Sequence, residues 1–313
     1  MTFRRSVPPN RRAFLRAAAL AVPTVVGLGT LAGCTDYDDS PDPLLPLLAR
    51  ARADVEAANA VGGPEAQQVA AVRQAHADTL GKEVRRLNRP RPSQEPRVDA
   101  PEAAAGDLAA LGRRLEQAQR EAVRLVKGLP RHRAGLVGAV AAGCAAARQL
   151  GDALGAGQPG PLERVAAGSL DEDAVDALQD ALAAEYAAEW VYDTVTAFLS
   201  ADYEAGLTAG ADAHRDRREA CRTLLADAGV SPRPSEPAYT TQQQVSDAGS
   251  AVQLVVTAET DAAGAWHGVL ERTDDARLRD VAVQALIGSA TRLTGWRLDA
   301  GDEPAVLALP GRG

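Results

Sequence analysis

Aromatic residues make up only 4% of this 313-residue chain, three of them Phe, and runs of β-branched residues are short, so there is little material for sheet cores. Ala, Leu and Arg dominate, which favours helix. No Ser/His/Asp or Cys/His constellation, phosphate-binding glycine loop or dinucleotide fingerprint can be found, so acyl transfer, nucleotide hydrolysis and hydride transfer have no visible machinery. Long apolar stretches are also missing. The one candidate, Ala17 to Leu31, has 15 residues and falls short of the roughly 20 that span a bilayer. The expectation is an all-α protein that is not an enzyme.

What is present begins with an address. Asn10-Arg11-Arg12-Ala13-Phe14-Leu15-Arg16 precedes the apolar stretch, a charged segment followed by a hydrophobic one. Arg11, Arg12, Phe14 and Leu15 resemble the twin-arginine export consensus, and Leu31-Ala32-Gly33-Cys34 resembles a lipobox, in which cleavage leaves Cys34 as a lipid-modified amino terminus. Residues 1–33 therefore read as a signal peptide and 34–43 as an acidic tether. The expected location is the cell envelope, at the outer face of the cytoplasmic membrane, with attachment through acyl chains. Residues 1–33 hold five arginines and no acids, so 34 basic residues become 29 against 42 acidic, a formal charge of −13. That charge argues against nucleic acid and against a basic membrane-binding face, leaving an envelope protein as the conceivable macromolecular partner.

Periodicity and punctuation predict eight helices, at about 44–61, 64–87, 101–127, 132–154, 172–199, 201–228, 247–272 and 275–298. Gly62-Gly63-Pro64, the Asn88–Pro96 stretch, Gly128-Leu129-Pro130 and Gly155 separate the first four. Residues 155–171 read as a linker between an N-terminal bundle (44–154) and a C-terminal four-helix bundle (172–298), with 299–313 a tail. Within the second set, Gly229 to Ser246, carrying Pro232, Pro234 and Pro237, is too long for a hairpin. One long crossover between the second and third helices is the connectivity of ferritin-like folds. Cys144 and Cys221 have no metal-ligand spacing; two outcomes stay open for them, one disulfide or two buried thiols.

Polar residues interrupt the apolar stripes of the second set. Val175, Leu178, Leu182, Glu185, Glu189 and Tyr192 share one face, as do Leu207, Ala211, His214, Arg218 and Cys221, and then Val252, Val255, Glu259, Ala262 and Trp266. Acids from two helices and an imidazole from a third are thus expected to converge. This region resembles a ferritin-like domain of exported bacterial lipoproteins, a family known as a domain of unknown function. The resemblance is carried by Leu178-Gln179-Asp180-Ala181-Leu182-Ala183-Ala184-Glu185-Tyr186, His214-Arg215-Asp216-Arg217-Arg218, Pro237-Ala238-Tyr239 and Ala308-Leu309-Pro310-Gly311. It implies a ferritin-like fold without an assigned activity.

A di-iron site in such a fold takes a Glu from each of two helices and Glu-x-x-His from each of the others. Glu185 and Glu259 match the single positions and His214 a histidine, but Ala211 replaces its glutamate, and the fourth helix has neither Glu nor His between Arg277 and Leu298. The expectation is a core polar cluster of Glu185, Glu189, His214, Arg218, Glu259 and Arg292, the arginines taking the place of metal and no cofactor bound. The alternative is iron or manganese held by Glu185, His214 and Glu259, in metal handling or oxidative stress. His76, three residues after Arg73, reads as a hydrogen-bonded core histidine, and His132 and His267 as histidines near solvent. Trp190, Trp266 and Trp296 raise a further alternative, a groove for an apolar envelope molecule.

Overall fold

A computed structural model describes residues 40–87, 106–162, 168–241 and 244–312. Arg11, Arg12, Phe14, Leu15 and Cys34, the signal segment and most of the tether lie outside the described residues. Those described form eight α-helices and no strand: α1 (Leu45–Val61), α2 (Pro64–Leu87), α3 (Leu108–Val126), α4 (Arg131–Ala147), α5 (Glu172–Val195), α6 (Glu204–Asp227), α7 (Ala248–Arg272) and α8 (Ala276–Ala300). The chain is all-α.

Local chemistry sets most of the helix ends. Asp107, Asp171, Asp247 and Asp275 each cap a helix start by accepting from backbone N–H groups two or three residues on, and Asp247 forms a reciprocal capping box with Ser250. Each cap contributes about 1 kcal/mol. Gly301, at φ 71°, ends α8 in the left-handed conformation that costs glycine nothing. The fourth helix stops earlier than its predicted end at 154. Gly151 is fully extended, and the stretch becomes two short turns, Arg148–Leu150 and Asp152–Leu154.

The decisive element for architecture is α4. Every residue from Arg133 to Ala147 is buried, because Ala, Gly, Val and Leu surround the whole helix and leave no polar face to turn outward. It packs on α2 and α3 on one side and on α7 and α8 on the other. Small residues permit the approach: a Cβ at Gly138 would lie 2.3 Å from Leu270 Cδ1, and one at Gly143 would lie 2.1 Å from the Ala308 carbonyl oxygen. One hydrophobic cluster consequently runs from Leu44 through Leu136 and Leu270 to Val306. Residues 40–313 form one compact unit. Among the described residues, helices from 44–154 and from 172–298 contribute to this one cluster, and the start of the segment between them packs onto it: Gln119 reaches the Gln158 carbonyl and Gly160 N–H donates to Gln284.

Buried ion pairs tie the first layer. Asp54 accepts from both Arg73 and Arg114, and Arg133 bridges Asp42 and Glu83. Arg279 of α8 donates to the carbonyls of Val126, Lys127 and Leu129, satisfying the orphan acceptors at the end of α3. His76 is fully buried, as expected, accepting from Arg73 at 2.8 Å while its Nε2 donates to the Ala308 carbonyl at 2.6 Å. That bond and buried Ala305 and Val306 dock the C-terminal tail back on the body. Cys144 and Cys221 are both free and buried. His267, expected near solvent, is buried on α7 instead, because the tail covers it: a Cβ at Gly311 would lie 2.6 Å from its Cβ. His132 is exposed, beside Glu83. Among the described residues, no helix is long and apolar enough to cross a membrane.

Candidate functional site

Helices α5 to α8 enclose a polar layer. α5 packs on α6 and α7, and α7 on α8, while the long crossover lies along α5, where Gln179 bonds the Ser231 carbonyl and the Arg233 N–H. At mid-height of α5 the apolar interior divides in two. The large cluster ends near Leu182, Cys221, Trp266 and Leu286, and a second begins at Ala188, Ala258 and Leu293. Glu185, His214, Arg217 and Glu259 occupy the level between.

His214 is the centre of this layer. Its Nδ1 lies 2.6 Å from Glu185 Oε2 and its Nε2 lies 3.1 Å from Glu259 Oε1, and all three side chains are fully buried. Carboxylates only accept, so two carboxylate partners require both ring nitrogens to donate, and the ring is an imidazolium. Burial opposes that charge, but Glu259 and Glu185 more than offset it and raise the His214 pKa to about 9. Burial likewise pushes Glu185 up, yet Arg217 and His214 outweigh it and hold its carboxyl below the usual range.

The remaining oxygens are also occupied. Trp266 donates to Glu185 Oε1 at 2.5 Å, and Arg217 Nη1 lies 3.4 Å from the same atom. Glu259 Oε2 accepts from Arg292 Nη2 at 3.4 Å, and its Oε1 takes further bonds from the Tyr192 hydroxyl at 2.7 Å and from Arg292 Nε at 2.5 Å. Tyr192 in turn accepts from the Trp296 indole at 3.0 Å. Burial first, then the charge of Glu259, drives the Tyr192 pKa well above its ordinary value, so the phenol stays protonated. A network whose four carboxylate oxygens all have partners specifies one packing of four helices, and removing one member leaves a buried charge in low dielectric.

Two members expected in the cluster lie elsewhere. Arg218 is at the edge, where it pairs with Glu189 and Glu219 and sits 5.9 Å from the centre of the Tyr186 ring. Glu189 is at the same edge, shared with Arg215. The buried guanidinium is that of Arg217, whose side chain is 3% exposed against 22% for Arg218. One turn of α6 carries His214 to either residue, and only the contact with α8, where Arg217 Nη1 donates to Ser289 Oγ at 2.8 Å, selects the first. Glu185, His214, Glu259 and Arg292 lie together in the layer. Tyr192 and Trp266 join them; both were already on the inward stripes, and the signal for them was a polar atom on an otherwise apolar side chain.

The donor set does not suit a metal. A metal-bound imidazole must offer a lone pair, and both His214 nitrogens carry protons facing carboxylates, while two guanidiniums already supply positive charge. Among the described residues no group of three His, Cys, Asp or Glu side chains is arranged to hold a metal ion. Nor do the indoles line one groove. Trp266 and Trp296 are interior, whereas Trp190 packs against Tyr239, tilted by 34° with ring centres 5.5 Å apart, beside a cavity of about 560 Å³ between α5 and α7.

Fold and layer together define a class: an all-helical protein in which buried acids are held by an imidazolium and two guanidiniums. Residues 177–313 match the model of the family described as Domain of unknown function (DUF4439). A crystal structure of a conserved hypothetical protein, rv2844, from Mycobacterium tuberculosis is similar, at 33% identity over 41% of this chain and 98% of that one, with a TM-score of 0.40. No curated protein matches.

Proposed function

We propose that this chain is an exported lipoprotein, tethered through Cys34 to the outer face of the cytoplasmic membrane, whose α5–α8 layer is a ferritin-like fold converted from metal binding to protein-internal ion pairing. Its role is that of a non-catalytic scaffold or binding protein with a partner in the cell envelope. The supporting observation is His214: an imidazolium clamped between Glu185 and Glu259, with Arg217 and Arg292 completing the neutralisation, stands where a metal-binding protein of this helix order needs lone pairs. The twin-arginine and lipobox motifs support the address, and the long α6–α7 crossover supports the fold reading.

The test is metal content. Mature protein, residues 34–313, purified without a histidine tag from iron- and manganese-supplemented cells, is expected to hold substoichiometric metal by mass spectrometry. Stoichiometric iron or manganese that is lost on Glu185→Ala would overturn the scaffold reading. For the address, wild-type protein is expected to partition into detergent with membranes and Cys34→Ser to remain in the aqueous phase; equal partitioning overturns the anchor.

A further inference from the structure

The polar layer has one positive charge too many. Glu185 and Glu259 supply two negative charges, while Arg217, Arg292 and the doubly bonded His214 ring supply three positive ones. Other groups facing the layer do not correct the balance. Tyr192 is a protonated phenol, Cys221 is a thiol that burial, then Glu185, pushes well above its ordinary pKa, and Glu189 is committed to Arg218 and Arg215 at the edge. The other buried acids, Asp42 and Asp54, belong to Arg133 and to Arg73 and Arg114. Arg217 is buried while Arg292 is one-fifth exposed, so the surplus lies at the side of the layer that an ion can reach from water.

The same layer has a donor without an acceptor. Arg217 spends Nε on the Ala213 carbonyl and Nη1 on Ser289 Oγ and the Ala285 carbonyl, but its buried Nη2 has no partner among the described residues. Beside that nitrogen, α8 carries Gly288. The place a Cβ would occupy there lies 3.5 Å from Arg292 Nη1, 3.9 Å from Arg217 Nη2 and 3.6 Å from Pro159 Cγ, with no closer neighbour. Lack of a side chain at Gly288 therefore leaves a gap bounded by two guanidiniums and an apolar proline ring.

We propose that this gap is a site for one small monovalent anion, of the chloride class, held between Arg217 Nη2 and Arg292 Nη1 over Gly288. A single negative charge closes the balance of the layer, and a monatomic ion accepts from both guanidiniums without demanding donors that the Pro159 wall lacks. A water molecule would satisfy Nη2 but leave the charge. The inference rests on the reading that protein cations hold the acids, and its test separates the two ideas.

Crystals of the mature protein grown with bromide in place of chloride are expected to show an anomalous peak within hydrogen-bonding reach of Arg217 Nη2 and Arg292 Nη1. In solution, the unfolding midpoint is expected to be higher in sodium chloride than in sodium gluconate of equal ionic strength, gluconate being too bulky for the gap. Gly288→Ala meets only ordinary contacts, so it should keep its helical circular dichroism while losing both the peak and the salt difference. Arg292→Gln, which removes the surplus charge, should lose them too. Ordered water without a bromide peak, together with equal midpoints in the two salts, overturns the anion site and leaves the scaffold reading intact. Bound metal with His214 as a ligand overturns both.

Discussion

His214 of α6 places its Nδ1 2.6 Å from Glu185 Oε2 on α5, in a layer where neither side chain touches solvent. That pairing links protonation to folding. The His214 pKa is raised to about 9 from 6.5, so its contribution is complete below about pH 6.5 and is lost as pH rises through 9. A shift of that size corresponds to roughly 3 kcal/mol. His76 works in the opposite direction. Burial first, then the charge of Arg73, lowers its pKa to about 3, so its contribution is present above pH 6.5 and is lost as pH falls toward 3. Urea unfolding across pH should therefore peak near neutrality. His214→Asn is expected to flatten the alkaline limb and His76→Asn the acid limb; a wild-type profile unchanged between pH 7 and 10 would contradict the imidazolium.

Arg217 and Arg218 should behave very differently. Arg217→Met strips a buried guanidinium from Glu185 and is expected to cost about 3 kcal/mol or more in chemical denaturation, in the range for breaking a buried pair. Arg218→Met removes a partly exposed pair with Glu189 and should cost about 1 kcal/mol or less. Equal effects would mean that the helix phase of α6 is wrong.

Gly143 controls the docking of the tail. A Cβ there would stand 2.1 Å from the Ala308 carbonyl oxygen and 2.7 Å from His76 Nε2, and the first contact is backbone that cannot swing aside. Gly143→Ala is expected to lower stability by about 1–3 kcal/mol, the usual cost of overpacking, and to raise hydrogen exchange at residues 305–311. Protection unchanged at those residues would show that the tail does not depend on this contact.

The two buried cysteines, Cys144 and Cys221, give a test that needs no mutation. Burial raises Cys144 to about 11 and, with Glu185, drives Cys221 well above its ordinary value, so neither is thiolate at neutral pH. The folded protein should leave Cys144 and Cys221 unreacted with a thiol reagent, and denaturant should release both. Release of none would reveal a disulfide.

Local sequence determined where this chain is helical, because its signals act within a few residues: aspartate caps at 107, 171, 247 and 275, glycines at 62 and 301, and stripes that point Glu185, His214 and Glu259 inward. Helix α4 was also partly legible, since a segment with no polar residue from Ala134 to Ala147 has no face to offer water. Which helices cover which side of it is not in the local pattern, and contacts with α7 and α8 as well as α2 and α3 supply that. The choice of Arg217 over Arg218, the edge position of Glu189 and the burial of His267 beneath the tail were decided only in the tertiary structure. Each depends on atoms supplied from distant positions, Ser289 for Arg217 and Gly311 for His267, and a helix's own periodicity carries no information about them.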